Sequence, residues 1–209
     1  MRSPPLRQLK EHLIGSREQQ MAPHRFLLIP LLLIVALASP TVLAFTLKGT
    51  VWERVSNASS CKAPPLLLYS LAIQESRHPA GRGLITPHPF ALRNAISGSK
   101  YPDSQAEAAR LLQRYIQEDP LTDVGMMQIN LRWNGARVKS PEMLLDPETN
   151  IAVAAQILCE ALSVKRNDIE LGIGGYHTMN PEREADARAY ARNVLMIWRS
   201  LQALEKSGS

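Results

Sequence analysis

The 209 residues are 45% hydrophobic and 21% charged, the balance of an ordinary globular chain, which excludes a disordered protein, a collagen-like repeat and a multi-span membrane protein. The formal charge is +5 and the isoelectric point near 9.4, but that excess is local. Residues 1–44 hold five basic against two acidic side chains, residues 45–209 keep 19 against 17, and no nucleic-acid partner is expected.

The chain opens with a polar stretch, followed by an almost unbroken apolar run from Phe26 to Ala38. His24 and Arg25 precede the run, Ser39-Pro40 break it, and Val42-Leu43-Ala44 offer a small-residue cleavage site. These features describe a secretory signal peptide over residues 1–44, with Met21 as a candidate true start. An uncleaved inner-membrane anchor is the alternative, since Phe26 to Ala44 spans 19 residues. Residues 45–209 are then a single exported domain, expected in the periplasm. Cys61 and Cys159 both fall in that domain, where an oxidising compartment favours a disulfide; two buried free thiols are the alternative.

The exported pattern is helical nearly throughout. Pro64-Pro65 suits a helix start, and Leu66 to Ser76 reads as the first helix. Glu75 lies three residues after Ala72, four after Leu71 and seven after Leu68, so it shares that helix's apolar face. Desolvation there would favour the protonated carboxyl and raise its pKa, as a general acid near neutral pH requires. A carboxylate paired with Arg77 or Arg82 is the structural alternative. Pro79 to Asp103 is rich in Gly, Pro and His and reads as a loop, expected over one end of a groove. Ser104 and Glu107 form a capping-box pair, behind which Ala108, Leu111, Leu112, Tyr115 and Ile116 mark one helical face.

Asp119 to Ser140, around Gly125, reads as a second loop. Within it Asp123-Val124-Gly125-Met126-Met127-Gln128-Ile129-Asn130 carries two amides able to orient sugar hydroxyls and acetamido groups, each offering donors and acceptors. An ordinary loop over a packed methionine is the alternative. Trp133 is a candidate sugar-stacking residue, with core packing the stronger expectation for a single tryptophan. Asp146-Pro147 opens a helix with the stripe Ile151, Ala154, Ala155, Leu158 and Leu162. Gly174-Gly175-Tyr176-His177 permits a tight turn or a close backbone approach. Asn180-Pro181 opens the last helix, with Tyr190, Ala191, Val194, Leu195 and Trp198 facing inward. His78, His88 and His177 show no metal-ligand spacing, and no serine sits in a nucleophile elbow, so neither a metal nor another cofactor is expected.

Glu75-Ser76, Gly125 to Asn130, Asp146 to Ile151 and Gly175-Tyr176, in that order, resemble the soluble lytic transglycosylase (SLT) domain, a relative of goose-type lysozyme. Pro87 to Asn94, Val124 to Trp133 and Tyr176-His177 further resemble the branch that accompanies integrating conjugative elements and type IV secretion systems. The resemblance implies a mainly α, lysozyme-like single domain, with an enlarged insertion at about 79–122 between the catalytic helix and the Gly-x-Met-Gln loop. It makes Glu75 the catalytic acid and base. It places Met127, Gln128 and Tyr176 in a glycan groove beside Asn130 and His177, with Ser76 supporting the glutamate. Where the family has Tyr-Asn-Ala-Gly, this chain has Tyr176-His177-Thr178-Met179, which leaves the role of His177 open.

Ordinary glycosidases use two carboxyl groups, and here Asp123 is the nearest second candidate. In the family a single acid suffices because the muramic acid C6 hydroxyl attacks C1, giving a 1,6-anhydro end. The implied partners are peptidoglycan strands and components of a conjugation or secretion apparatus. A hydrolytic muramidase, and a non-catalytic wall-binding factor in which Glu75 is structural, are the alternatives.

Overall fold

The computed structural model describes residues 45–207; the expected signal peptide, the start at Met21 and the anchor alternative lie outside the described residues. The helix expected as the first, at Leu66 to Ser76, is the second, α2 (Pro65–Ser76), entered through Pro65 in its first turn and preceded by a helix that the sequence reading missed. Leu66, Leu67, Leu68, Leu71 and Ala72 are all buried. A helix apolar on nearly every side belongs inside, and the other elements gather round it.

On one side lies α1 (Val51–Ala58), whose Trp52 and Val55 point inward; the Trp52 ring meets Tyr69 of α2 edge-on at 5.1 Å. On another lies α5 (Pro147–Val164), where Asp146 caps the first turn by accepting the Thr149 N–H at 2.8 Å. Its stripe of Ile151, Ala154, Ala155 and Leu158 is buried. Cys61, between α1 and α2, is bonded to Cys159 of α5, with Cα atoms 5.4 Å apart. The final helix, α7 (Glu184–Ser207), follows a 3-10 turn at Pro181–Arg183 and packs along α2. A short helix, α6 (Ile169–Gly174), occupies part of the expected glycine loop. A Cβ on Gly174 would lie 2.3 Å from the Ala187 carbonyl oxygen, so α6 and α7 meet backbone to backbone.

Ser104 starts α3 (Gln105–Glu118) by accepting the Glu107 N–H at 3.2 Å, and Ala108, Leu112 and Tyr115 are buried as the stripe requires. The two stretches read as loops correct that expectation, because they fold into short strands. A hairpin pairs β1 (Arg77–Pro79) with β2 (Ile85–Pro87). A second antiparallel sheet has the order β4-β3-β5-β6, from β3 (Leu92–Asn94), β4 (Gly98–Lys100), β5 (Asp123–Val124) and β6 (Ile129–Asn130). Strands of two or three residues are too short to show an alternating pattern, and β5 pairs with a partner 30 residues away in sequence. A short helix, α4 (Leu131–Asn134), follows β6.

Register then sorts the sheet into two faces. Leu92, Val124 and Ile129 stand side by side and are buried in the core. Their neighbours Arg93, Asp123 and Asn130 form the adjacent row and point to the opposite face. The chain remains mainly helical, as expected, with this sheet set beside the end of α2 that carries Glu75.

Candidate active site

Glu75 occupies the penultimate position of α2, and its carboxyl meets α7, where the Tyr190 hydroxyl donates a hydrogen bond to Oε1. As a residue Glu75 keeps part of its surface open, but the carboxyl lies deep enough among protein atoms that lost hydration dominates its titration. Burial lifts its pKa from 4.5 to about 7. The Tyr190 hydrogen bond opposes that rise, the Asp123 charge adds to it, and the Arg93 charge opposes it. Arg77 reaches Gln74 at 3.0 Å, and among the described residues neither Arg77 nor Arg82 forms an ion pair with Glu75, so the partner that the structural alternative required is absent there. The carboxyl is held by a phenol, which can stabilise either protonation state.

Ser76 is buried beside it. Its hydroxyl donates to the Met126 carbonyl at 2.8 Å and accepts the His88 N–H at 3.2 Å. This one side chain therefore joins the end of α2 to the Gly125 loop and to the segment after β2. The loop itself demands glycine: Gly125 has φ +77°, and a Cβ there would lie 2.4 Å from Nδ2 of Asn150 and 2.7 Å from the Leu144 carbonyl oxygen. Asn150, 0% exposed on α5, fills that space. Its Oδ1 accepts the Met127 N–H at 2.8 Å and its Nδ2 donates to the Val124 carbonyl at 2.9 Å, fixing the loop from below.

The other expected site residues divide. Gln128, with φ +47°, donates its amide to the Ala91 carbonyl at 3.2 Å and the Gly125 carbonyl at 2.9 Å. Its Oε1 is then the atom left to address a ligand. Met127 is 0% exposed; its side chain lies in the core, and it joins the site through its carbonyl, which accepts the Tyr176 hydroxyl at 2.7 Å. Asn130 donates to Asp123 Oδ1 at 2.7 Å and accepts the Arg132 N–H at 3.1 Å, so its amide orients Asp123 and caps α4. Burial pushes the Asp123 carboxyl above its ordinary range, while the Asn130 bond and the Arg93 charge pull it back.

Tyr176 runs nearly parallel to Tyr190, with ring centroids 6.4 Å apart, and burial first, then the Glu75 and Asp123 charges, hold its phenol protonated. His177 is exposed and stacks on Tyr190 at 5.0 Å. Desolvation, helped by the Arg183 and Arg93 charges and opposed by Asp186, holds its pKa below the usual value and favours neutral imidazole. Tyr190, Asn150 and Arg93 were not singled out from the sequence as site residues. The usable signal was complementarity: a buried phenol and a buried carboxyl each need a partner, and both lay on inward stripes. Trp133 reverses its expectation, being 75% exposed on α4, with the Arg132 guanidinium 5.9 Å from its ring centre. The elements on either side of α4 fill the core without it.

Residues 91–193 match the family model described as the transglycosylase SLT domain. The matched segment takes in the Gly125 loop, Asn150, Tyr176 and Tyr190 and begins after Glu75, which the match does not reach. No curated protein and no solved structure matches the chain.

Proposed function

The chain belongs to the transglycosylase SLT family, whose substrate is peptidoglycan, and from that premise we propose a lytic transglycosylase with Glu75 as its one acid and base. The observation that carries this reading is the Glu75 carboxyl, buried to a pKa of about 7 and gripped by Tyr190. Near neutral pH such a group is protonated often enough to give up a proton and basic enough to take one back. In the first step it protonates the β-1,4 oxygen between MurNAc and GlcNAc, and the C1–O bond breaks. In the second its carboxylate accepts the proton of the muramic C6 hydroxyl as that oxygen bonds to C1. The product is a 1,6-anhydro end, and no water is consumed. Gln128 Oε1 is the loop atom proposed to fix an acetamido or hydroxyl donor of the glycan. Ser76, Met127 and Asn130 act as supports, Met127 through its backbone. Tyr176 fixes the loop carbonyl, and His177 lines the outer edge of the groove.

We place the enzyme in the periplasm, where its substrate lies, and assign it to opening the wall for a conjugation or secretion apparatus. That assignment draws on the resemblance of Pro87 to Asn94 and Val124 to Trp133 to the corresponding branch. Asp123 supports a second reading. Its charge acts on Glu75, so a water-activating second carboxylate, hence hydrolysis, is chemically open. Purified sacculi digested to completion and analysed by mass spectrometry decide between them. Anhydro ends are expected; reducing ends alone would give the muramidase reading, with Asp123 as its base.

A further inference from the structure

The outward face of the four-stranded sheet carries a transverse polar row. Ser99 pairs with Arg93, Arg93 with Asp123, and Asp123 with Asn130. Directly opposed residues point to the same face, so these four side chains cross the sheet in line over about 14 Å, three strand spacings. Asp123 and Asn130 are hydrogen-bonded to each other at 2.7 Å. Arg93 is exposed, and among the described residues it forms no ion pair, although its direct neighbour in the row is an acid. Its charge is felt by Glu75, Asp123 and His177. Those groups stand on α2, on β5 and just after α6, so one guanidinium overlooks the site from the sheet side.

We propose that Arg93 forms a carboxylate-binding subsite that takes a stem-peptide carboxylate of the muramic residue being cleaved. This rests on peptidoglycan being the substrate. The amino sugars of a glycan strand are neutral, and its anions sit on the peptide hanging from the lactyl group. A guanidinium fork matches a carboxylate in two parallel hydrogen bonds, which a point charge cannot do. The subsite makes the enzyme prefer strands whose peptides carry free carboxylates to strands whose peptide carboxylates are amidated, and it acts on a part of the substrate remote from the broken bond.

The test compares strands bearing peptides with free carboxylates with the same strands after those peptide carboxylates are converted to neutral amides, using the full exported chain. Both kcat/KM and, in the Glu75→Gln background, Kd are measured with Arg93, Arg93→Gln and Arg93→Lys. Arg93 is exposed, so the variants are expected to fold, and circular dichroism checks it. The chain with Arg93 should favour the strands with free peptide carboxylates about tenfold, the size of one charge-assisted contact. Arg93→Gln should bring the ratio close to one, because any loss that acts through the Glu75 carboxyl is common to both substrates and cancels in the ratio, and Arg93→Lys should keep part of the preference. Equal losses on both substrates would mean that Arg93 only adjusts Glu75, and would overturn the subsite. So would a ratio unchanged by Arg93→Gln, or no discrimination at the outset. Should neither strand be cleaved, the lytic reading fails, while the Kd ratio still judges Arg93.

Discussion

At Glu75 four influences on the proton combine. Burial raises its affinity, the Asp123 charge raises it further, the Arg93 charge lowers it, and the Tyr190 hydrogen bond lowers it by stabilising the carboxylate. Tyr190→Phe removes only that last influence, so the Glu75 pKa should climb. The alkaline limb of the activity profile should move up by on the order of one pH unit, because a hydrogen bond to a charged group is worth about 1.5 to 3 kcal/mol. Rates on sacculi between pH 5 and 9 check this, and a downward shift would contradict it. The same carboxyl links stability to pH. Its folded pKa of about 7 exceeds the reference value of 4.5, so the native state holds a proton that the unfolded chain has already released between those values. The contribution is full below pH ~4.5 and is lost as pH rises to 7 and beyond. Glu75→Gln should therefore melt higher than the wild type at pH 8, by about 1 to 3 kcal/mol, with the gain absent at pH 4. Glu75 was legible in the sequence because a glutamate on an apolar helical face is conspicuous. Tyr190 was legible only as an inward residue, since nothing local states which carboxyl a phenol will meet across 115 positions.

Among the elements, α2, α3, α5 and the start of α7 were readable, while α1, the short α4 and α6 and the sheet were not. Helices α2, α3, α5 and the start of α7 announced themselves through Pro65, Ser104, Asp146-Pro147 and Asn180-Pro181, each a local signal for a local structure. The strands exist because distant segments pair, and two or three residues leave no periodicity to read. The segment 79–103 is thus more than a cover: Leu92 and Asn94 are buried within it, Asn94 donating to Glu118 at 3.1 Å. The Gly125 loop combines both cases. Its glycine was visible, but the reason for it, the Asn150 amide pressed against the loop, required the fold. Gly125→Ala should cost about 3 to 5 kcal/mol, since it forces a positive φ on alanine and drives a methyl into Asn150 and the Leu144 carbonyl. Chemical denaturation checks this; a loss below about 1 kcal/mol would show that the loop relaxes freely.

On the scale of the whole molecule, stability and chemistry lie at opposite ends of α2. Cys61 precedes its start, while Glu75 stands about 15 Å further along the axis from Pro65. The disulfide closes a loop of 98 residues, worth about 4 to 5 kcal/mol in the chain-entropy account. Reduction should lower Tm by many degrees while the initial rate on sacculi, measured well below the new Tm, changes less than twofold; a rate loss that parallels the melt would contradict that separation. The described helices include none long and apolar enough to cross a membrane. On the proposed reading, the face offered to the wall is built from the end of α2, the sheet, the Gly125 loop and α7, with Glu75 at its focus. The most direct measurement is the release of soluble muropeptides from sacculi by the wild type and by Glu75→Gln at pH 7. The account predicts a folded variant whose rate is down by at least 10² to 10⁴-fold, the usual contribution of acid–base catalysis. A folded Glu75→Gln protein that cleaves within tenfold of the wild type would contradict it.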